Sequence, residues 1–193
     1  MKIYKLGEEV LRKKCVPVEP EEINDEMRSL FLEMFDTMDE AEGVGLAAPQ
    51  VGISKRFFVV TADDGIRRVF INPQIVYTSS TLSDYEEGCL SLPGFNEVIR
   101  RPEKVTCSAI NEFGKPFTLE ADGLLARIIQ HENDHLDGIM YIDHGNPEFA
   151  AKVSAQMQKR LERQAKKDAE KAKKAASIAA KKAAKLEKNN SRG

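Results

Sequence analysis

Residues 130–138 read QHENDHLDG, and their types suit metal-assisted hydrolysis. On a helix, positions i and i+4 share a face, so His131 and His135 can direct one ring nitrogen each at a single point in space. Glu132, one residue further round, can reach a water held at that point without being a ligand, as the general base of an H-E-x-x-H site does. The motif is short, and a histidine pair in an apolar helix also suits ordinary core residues bonded to backbone. A hydrolytic metal centre needs three protein ligands and one open position, so the third ligand decides between the readings.

One class of metallopeptidase extends the motif to H-E-x-x-H-x-x-G-x-x-H. Gly138 fits that pattern, but residue 141 is tyrosine. His144 comes three residues late, and Glu148 and Glu162 lie in or near the C-terminal tail. Cys89 is the stronger candidate, because Gly88 lets the backbone approach closely and an ion would stabilise the thiolate. Cys15 and Cys107 read as small buried hydrophobes, the latter inside a strand pattern. Spacing alone leaves open which cysteine reaches the helix.

The histidines belong to the segment ADGLLARIIQHENDHLDG, which predicts a helix with Asp122 as N-cap and Gly138 as stop. Leu124, Ile128, His131 and His135 fall on one face, so the candidate ligands look into an apolar core. Strands are expected at RFFVV, RVFINPQIVY, KVTCSAI and PFTLEA, the last two joined as a hairpin by the turn NEFGK. The stretch PEEINDEMRSLFLEMFDTMDEAEG places Ile23, Met27, Leu30, Phe31, Met34 and Met38 at helical spacing and predicts an amphipathic helix with a core-facing stripe. GVGLAAPQVG is too rich in glycine and small residues for a helix or an ordinary strand. Strands followed by a buried helix and a trailing one indicate an α+β fold.

The 193 residues suit one domain with an appendage. The net charge of −2 conceals an asymmetry: residues 150–193 hold 14 Lys and Arg against 4 Asp and Glu, whereas residues 1–149 hold 15 against 27. The division expected is therefore a catalytic body over 1–147 and a basic, Lys/Ala-rich helical extension over 148–193. Phe149, Val153, Met157 and Leu161 form a stripe in the first turns of that extension; past Leu161 the apolar face nearly vanishes. Such a tail suits a polyanionic partner or simply a solvated helix. Three irregularly spaced cysteines suggest no disulfide framework, and neither a signal peptide nor a membrane-spanning stretch is visible, so a cytoplasmic location is expected.

Three segments, GVGLAAPQ (43–50), EGCLSLPG (87–94) and QHENDHLDG (130–138), together resemble the three signature motifs of bacterial-type peptide deformylases, in order and at similar separations. LGEEVLRKKCVPV and RRPEKV extend the likeness, which covers about residues 3–143. The resemblance implies antiparallel strands surrounding a central motif-bearing helix, followed by a C-terminal helix. It implies that Cys89, His131 and His135 bind one divalent metal, commonly Fe(II), with Zn, Ni or Co tolerated, and that the reaction is removal of the N-formyl group from the initiator methionine of nascent polypeptides, releasing formate.

On that resemblance Glu132 is the general base, while the Gln50 amide and the Leu90 backbone N–H stabilise the oxyanion. Val44, Leu124 and Ile128 are expected to line a pocket for the methionine side chain. Gly45, with Gly43, is expected to let a substrate backbone approach as an added strand. Arg101 matches a basic position of the family, Asn96 stands where some members carry a further arginine, and Arg127 replaces an apolar residue of some relatives and is expected to turn outward. Related bacterial enzymes engage the ribosome through a C-terminal helix, so rRNA is the expected partner of the tail, of a monomer without membrane attachment. The rival readings are a general metallopeptidase, which Tyr141 weakens, and a ribosome- or RNA-binding module with a structural metal, which would need neither Glu132 nor Gln50.

Overall fold

The computed structural model describes the backbone of residues 1–190 and the side chains of residues 1–176. The end of the helical tail expected from the sequence, 191–193, lies outside the described residues. The chain divides into two units, Met1–Ser154 and a second beginning at Ala155.

In the first unit a 3-10 turn at Pro20–Glu22 precedes helix α1, Asp25–Glu40. The expected helix therefore starts later than its apolar periodicity suggests, because Asn24 caps it: its Oδ1 accepts the Met27 N–H at 3.0 Å. Strand β1, Gly45–Ala47, and a 3-10 turn at Ala48–Val51 follow. This corrects the expectation that GVGLAAPQVG holds no ordinary strand, since Gly45, Leu46 and Ala47 pair with the next strand.

That strand is β2, Phe57–Thr61, followed by β3, Arg67–Thr78, β4, Leu82–Gly88, β5, Asn96–Pro102, β6, Lys104–Ile110, and β7, Pro116–Asp122. Helix α2 runs Gly123–Leu136 and α3 Pro147–Asn190. β1-β2-β3-β6-β7 form one antiparallel sheet in that order, and β4-β5 pair separately as a two-stranded hairpin.

Both faces of the large sheet are covered around β2, which explains why that strand reads as a continuous apolar run rather than an alternation. Phe58 and Val60 pack with Phe70, Ala126, Ile128 and Ile129 on the α2 side. Phe57 and Val59 pack with Phe31, Met34, Met38 and Ile71 on the α1 side. Such fully buried side chains stabilise the fold by roughly 1.5–3 kcal/mol each. The expected methionine stripe is thus core.

Asp122 stands at the N-cap of α2, as its sequence predicts, but its side chain makes no capping bond. Gly138 ends the helical path as expected: φ is +75°, and a Cβ there would lie 2.7 Å from the carbonyl oxygen of Arg12. Val153, in the first turns of α3, is buried. In the second unit Gln158 and Gln164 bond to Glu162 and Asp168, one turn on, at 3.1 and 2.9 Å. No helix among the described residues is long and apolar enough to cross a membrane.

Candidate metal centre

Cys89 follows the last residue of β4, and the two histidines lie on α2. Ligand atoms of Cys89, His131 and His135 all lie within 4.8 Å of one another, close enough to serve one ion. Cys89 Sγ is 3.3 Å from His135 Nε2 and accepts from the Ser91 N–H at 3.4 Å. His144 bonds instead to Asp134 at 2.8 Å near the surface, and Glu148 stands at the start of α3, so neither completes the set. Cys15 and Cys107 are buried in the core, as expected.

The residues behind these three side chains shape their chemistry. His131 Nδ1 meets Glu87 Oε2 at 2.8 Å. Burial alone would raise the Glu87 pKa, but the bonds from His131 and Arg101 overcome it and hold the carboxyl down at about 2. An ionised carboxylate only accepts, so Nδ1 carries a proton and Nε2 is the ring nitrogen left for a metal; burial would lower the ring's pKa, but bonds with Cys89 and Glu87 hold it well above the ordinary value. His135 is buried, and that burial, reinforced by charge on His131, moves its pKa well below the ordinary value and favours the neutral imidazole. One sulfur and two imidazole nitrogens form a donor set that suits Fe(II), Zn, Ni or Co.

Glu132 sits beside this set, 4% exposed, with no hydrogen-bond partner for Oε2. Burial, opposed in part by His131, pushes its pKa up to about 7. It fits only because residue 45 is glycine: a Cβ there would lie 2.4 Å from Glu132 Oε1 and 2.8 Å from Ile128 Cγ2. Gln50, from the 3-10 turn after β1, is 1% exposed. Its Oε1 accepts the Ala47 N–H at 2.7 Å, which turns the amide NH2 toward Ser91 Oγ at 3.2 Å and Cys89 Sγ at 3.5 Å.

These groups open on a cavity of about 780 Å³. Val44, Gly45, Leu124 and Ile128 border it, as do Gln50, Cys89, Leu90, His131 and Glu132; among the expected site residues His135 alone lies off its lining. The Leu90 carbonyl is tied by Lys5 Nζ at 2.7 Å.

Several partners were not legible beforehand. Glu87 joins Arg101, Arg127 and His131, and Arg101 reaches on to Asp134 at 2.7 Å. Tyr141, at the position where a third histidine is missing, lies against the His131 ring with centroids 5.9 Å apart and donates to the Phe95 carbonyl at 2.8 Å. Arg127 corrects the expectation of an outward side chain: it is 5% exposed and bonded to Glu87, Ser83 and the Ile99 carbonyl. Arg101 was marked beforehand as a basic position; for Glu87 the available signal was EEG at 86–88, charged residues pressed against the cysteine motif.

Residues 1–151 match the family model described as polypeptide deformylase. A peptide deformylase of Fusobacterium nucleatum is 46% identical over 165 residues, covering 84% of this chain and 95% of that one. Peptide deformylase 1 of Clostridium perfringens is 53% identical over 138 residues, covering 71% and 92%. The crystal structure of a peptide deformylase from Legionella pneumophila superposes with a TM-score of 0.77 at 42% identity, covering 85% of this chain and 96% of that one. The chain belongs to the polypeptide deformylase family, metal-dependent hydrolases that remove the N-formyl group from nascent polypeptides.

Proposed function

We propose that Cys89, His131 and His135 hold one divalent metal ion, Fe(II) in the native protein, and that Glu132 is the base of formyl-group hydrolysis on methionyl nascent chains. The observation that carries this reading is the buried Glu132 carboxyl with one oxygen unpartnered, beside a set of one sulfur and two imidazoles. When bound, the ion supplies Lewis acidity to a water and to the formyl oxygen.

The chain's own residues do the rest. Glu132 takes a proton from the attacking water and returns it to the leaving amine, a task suited to a carboxyl raised to about 7. The Gln50 NH2, held by Ala47 so that it points at the reaction centre, and the Leu90 N–H donate to the oxyanion that develops on the formyl oxygen. Val44, Leu124 and Ile128 receive the methionine side chain, while Gly45 leaves room for the substrate backbone.

In this reading residues 1–147 are the catalytic body and 148–193 an extension whose 14 basic residues after position 149 bind ribosomal RNA by charge. The protein acts as a monomer in the cytoplasm. The test is formate release from formyl-Met-Ala-Ser by anaerobically purified protein, with metal content measured on the same sample. Release that needs both metal and Glu132 is the expected result; a metal-replete protein that releases none, or a fully active Glu132→Ala variant, refutes the assignment.

A further inference from the structure

We infer that Arg127 is a positioning residue of the metal centre: it holds strand β4, and with it Cys89, in place against the helix that carries His131 and His135. The inference rests on the reading that these three residues are the ligands. The two histidines share one helix, so their spacing is set by α2 itself. Cys89 instead arrives at the end of a hairpin that makes no ladder with the five-stranded sheet. An isolated two-stranded hairpin is marginal, so it depends on its contacts with the rest of the body: Lys5, Leu6 and Gln50 hold residues 89–91, and α2 holds the strands themselves.

Arg127 supplies more of those contacts than any other side chain of α2. Its Nη2 donates to the Ser83 carbonyl at 2.8 Å and to Ser83 Oγ at 2.9 Å. Nη1 donates to Glu87 Oε1 and to the Ile99 carbonyl, both at 3.0 Å. Its guanidinium carbon lies 5.8 Å from the centre of the Tyr85 ring.

Ser83, Tyr85 and Glu87 are alternate residues of β4 and therefore share one face of the strand. Arg127 thus grips that face from Ser83 to Glu87, two residues short of the cysteine, and crosses to β5 at Ile99. A tilt or slide of β4 that moved Cys89 would break several of these bonds together. The planar fork is what permits one side chain to serve all four acceptors, which a lysine cannot do. The remaining polar ties to α2 leave β4 less constrained: Gln130 to the Pro102 carbonyl and Arg101 to Asp134 both come from β5, and Glu87 to His131 is a single bond.

Full-length protein loaded with cobalt tests this, because the thiolate-to-cobalt absorption band and the rate of chelator-driven metal loss both report on Cys89 independently of turnover. Arg127→Leu should lose cobalt roughly 10–100-fold faster than the parent and show a weakened or shifted band, with Arg127→Lys in between. Asp84→Asn, which breaks the exposed pair with Arg100 and leaves every hydrogen bond of Arg127 in place, should match the parent in both readouts. Parental release rates and bands in both Arg127 variants overturn the inference. So does an equal loss in Asp84→Asn, which would mean that any loosening of the hairpin suffices. If Arg127→Leu does not fold, Arg127→Lys carries the test alone. Cys89→Ser separates this from the ligand assignment: loss of the band supports Cys89 as ligand whatever Arg127 does, and its persistence refutes that assignment.

Discussion

Gly45→Ala should separate folding from catalysis. Gly45 has no positive φ, so alanine meets no backbone strain there, and the whole effect is steric. The added Cβ would fall 2.4 Å from Glu132 Oε1, 2.9 Å from Glu132 Cδ and 2.8 Å from Ile128 Cγ2. Ordinary contact begins near 3.4 Å. Glu132 must therefore withdraw by about 1 Å, or β1 must move by as much, and a misplacement of that size costs a reacting group on the order of 100-fold. That is about 2.7 kcal/mol of transition-state stabilisation. Overpacking a tight site adds a stability loss of roughly 1–3 kcal/mol, visible as a lowered Tm. The three atoms nearest the new methyl belong to Glu132 and Ile128 and not to Cys89, His131 or His135, so metal content should hold at the parent value. The assay is formate release alongside thermal unfolding and metal analysis. Turnover within threefold of the parent would refute the claim that Gly45 exists to seat Glu132, and loss of metal together with activity would show that the damage spreads beyond that carboxyl.

Glu87→Gln keeps the shape of the side chain but leaves Arg101 and Arg127 facing a neutral amide; breaking a buried charge pair of this kind costs about 3–5 kcal/mol, to be read from denaturant unfolding, and a cost below 1 kcal/mol would contradict the packing described. Titration with a thiol reagent should count no reactive cysteine in the metal-loaded protein and one, Cys89, after chelation. Cys15 and Cys107 should stay silent until the protein is denatured, since burial pushes both up to about 11; early labelling of either would speak against that burial. Deleting residues 162–193 should leave turnover of a formyl-Met tripeptide nearly intact while weakening co-sedimentation with ribosomes, most at low salt and less as salt screens the tail's charge; unchanged sedimentation at low salt would remove the role given to the tail.

What the sequence revealed was local, and what it hid was not. The β6–β7 hairpin could be read because alternating residues flank the turn NEFGK, and α2 because its apolar spacing and Gly138 lie within one window. β4 could not be read: SDYEEG has no apolar alternation, and its strand geometry rests on pairing with β5 and on what its inner face meets. Arg127 failed by the same logic. A lone arginine among leucines and isoleucines reads as a solvent-facing position, and acceptors 28 to 44 residues away in sequence, the Glu87 carboxylate among them, make its burial possible. Glu87 in turn is an exposed strand residue by local pattern, and becomes buried because two guanidinium groups and a histidine surround it. Each member of this network makes the others tolerable, so none of them can be inferred singly. The ligand motifs escaped that limit only as a set: each short segment is ambiguous alone, and their joint order carried the family resemblance that the fold then made geometric. The positions where single-residue reasoning fails, Glu87 and Arg127 above all, are therefore where the chain spends buried charge to bring a distant cysteine to the histidines.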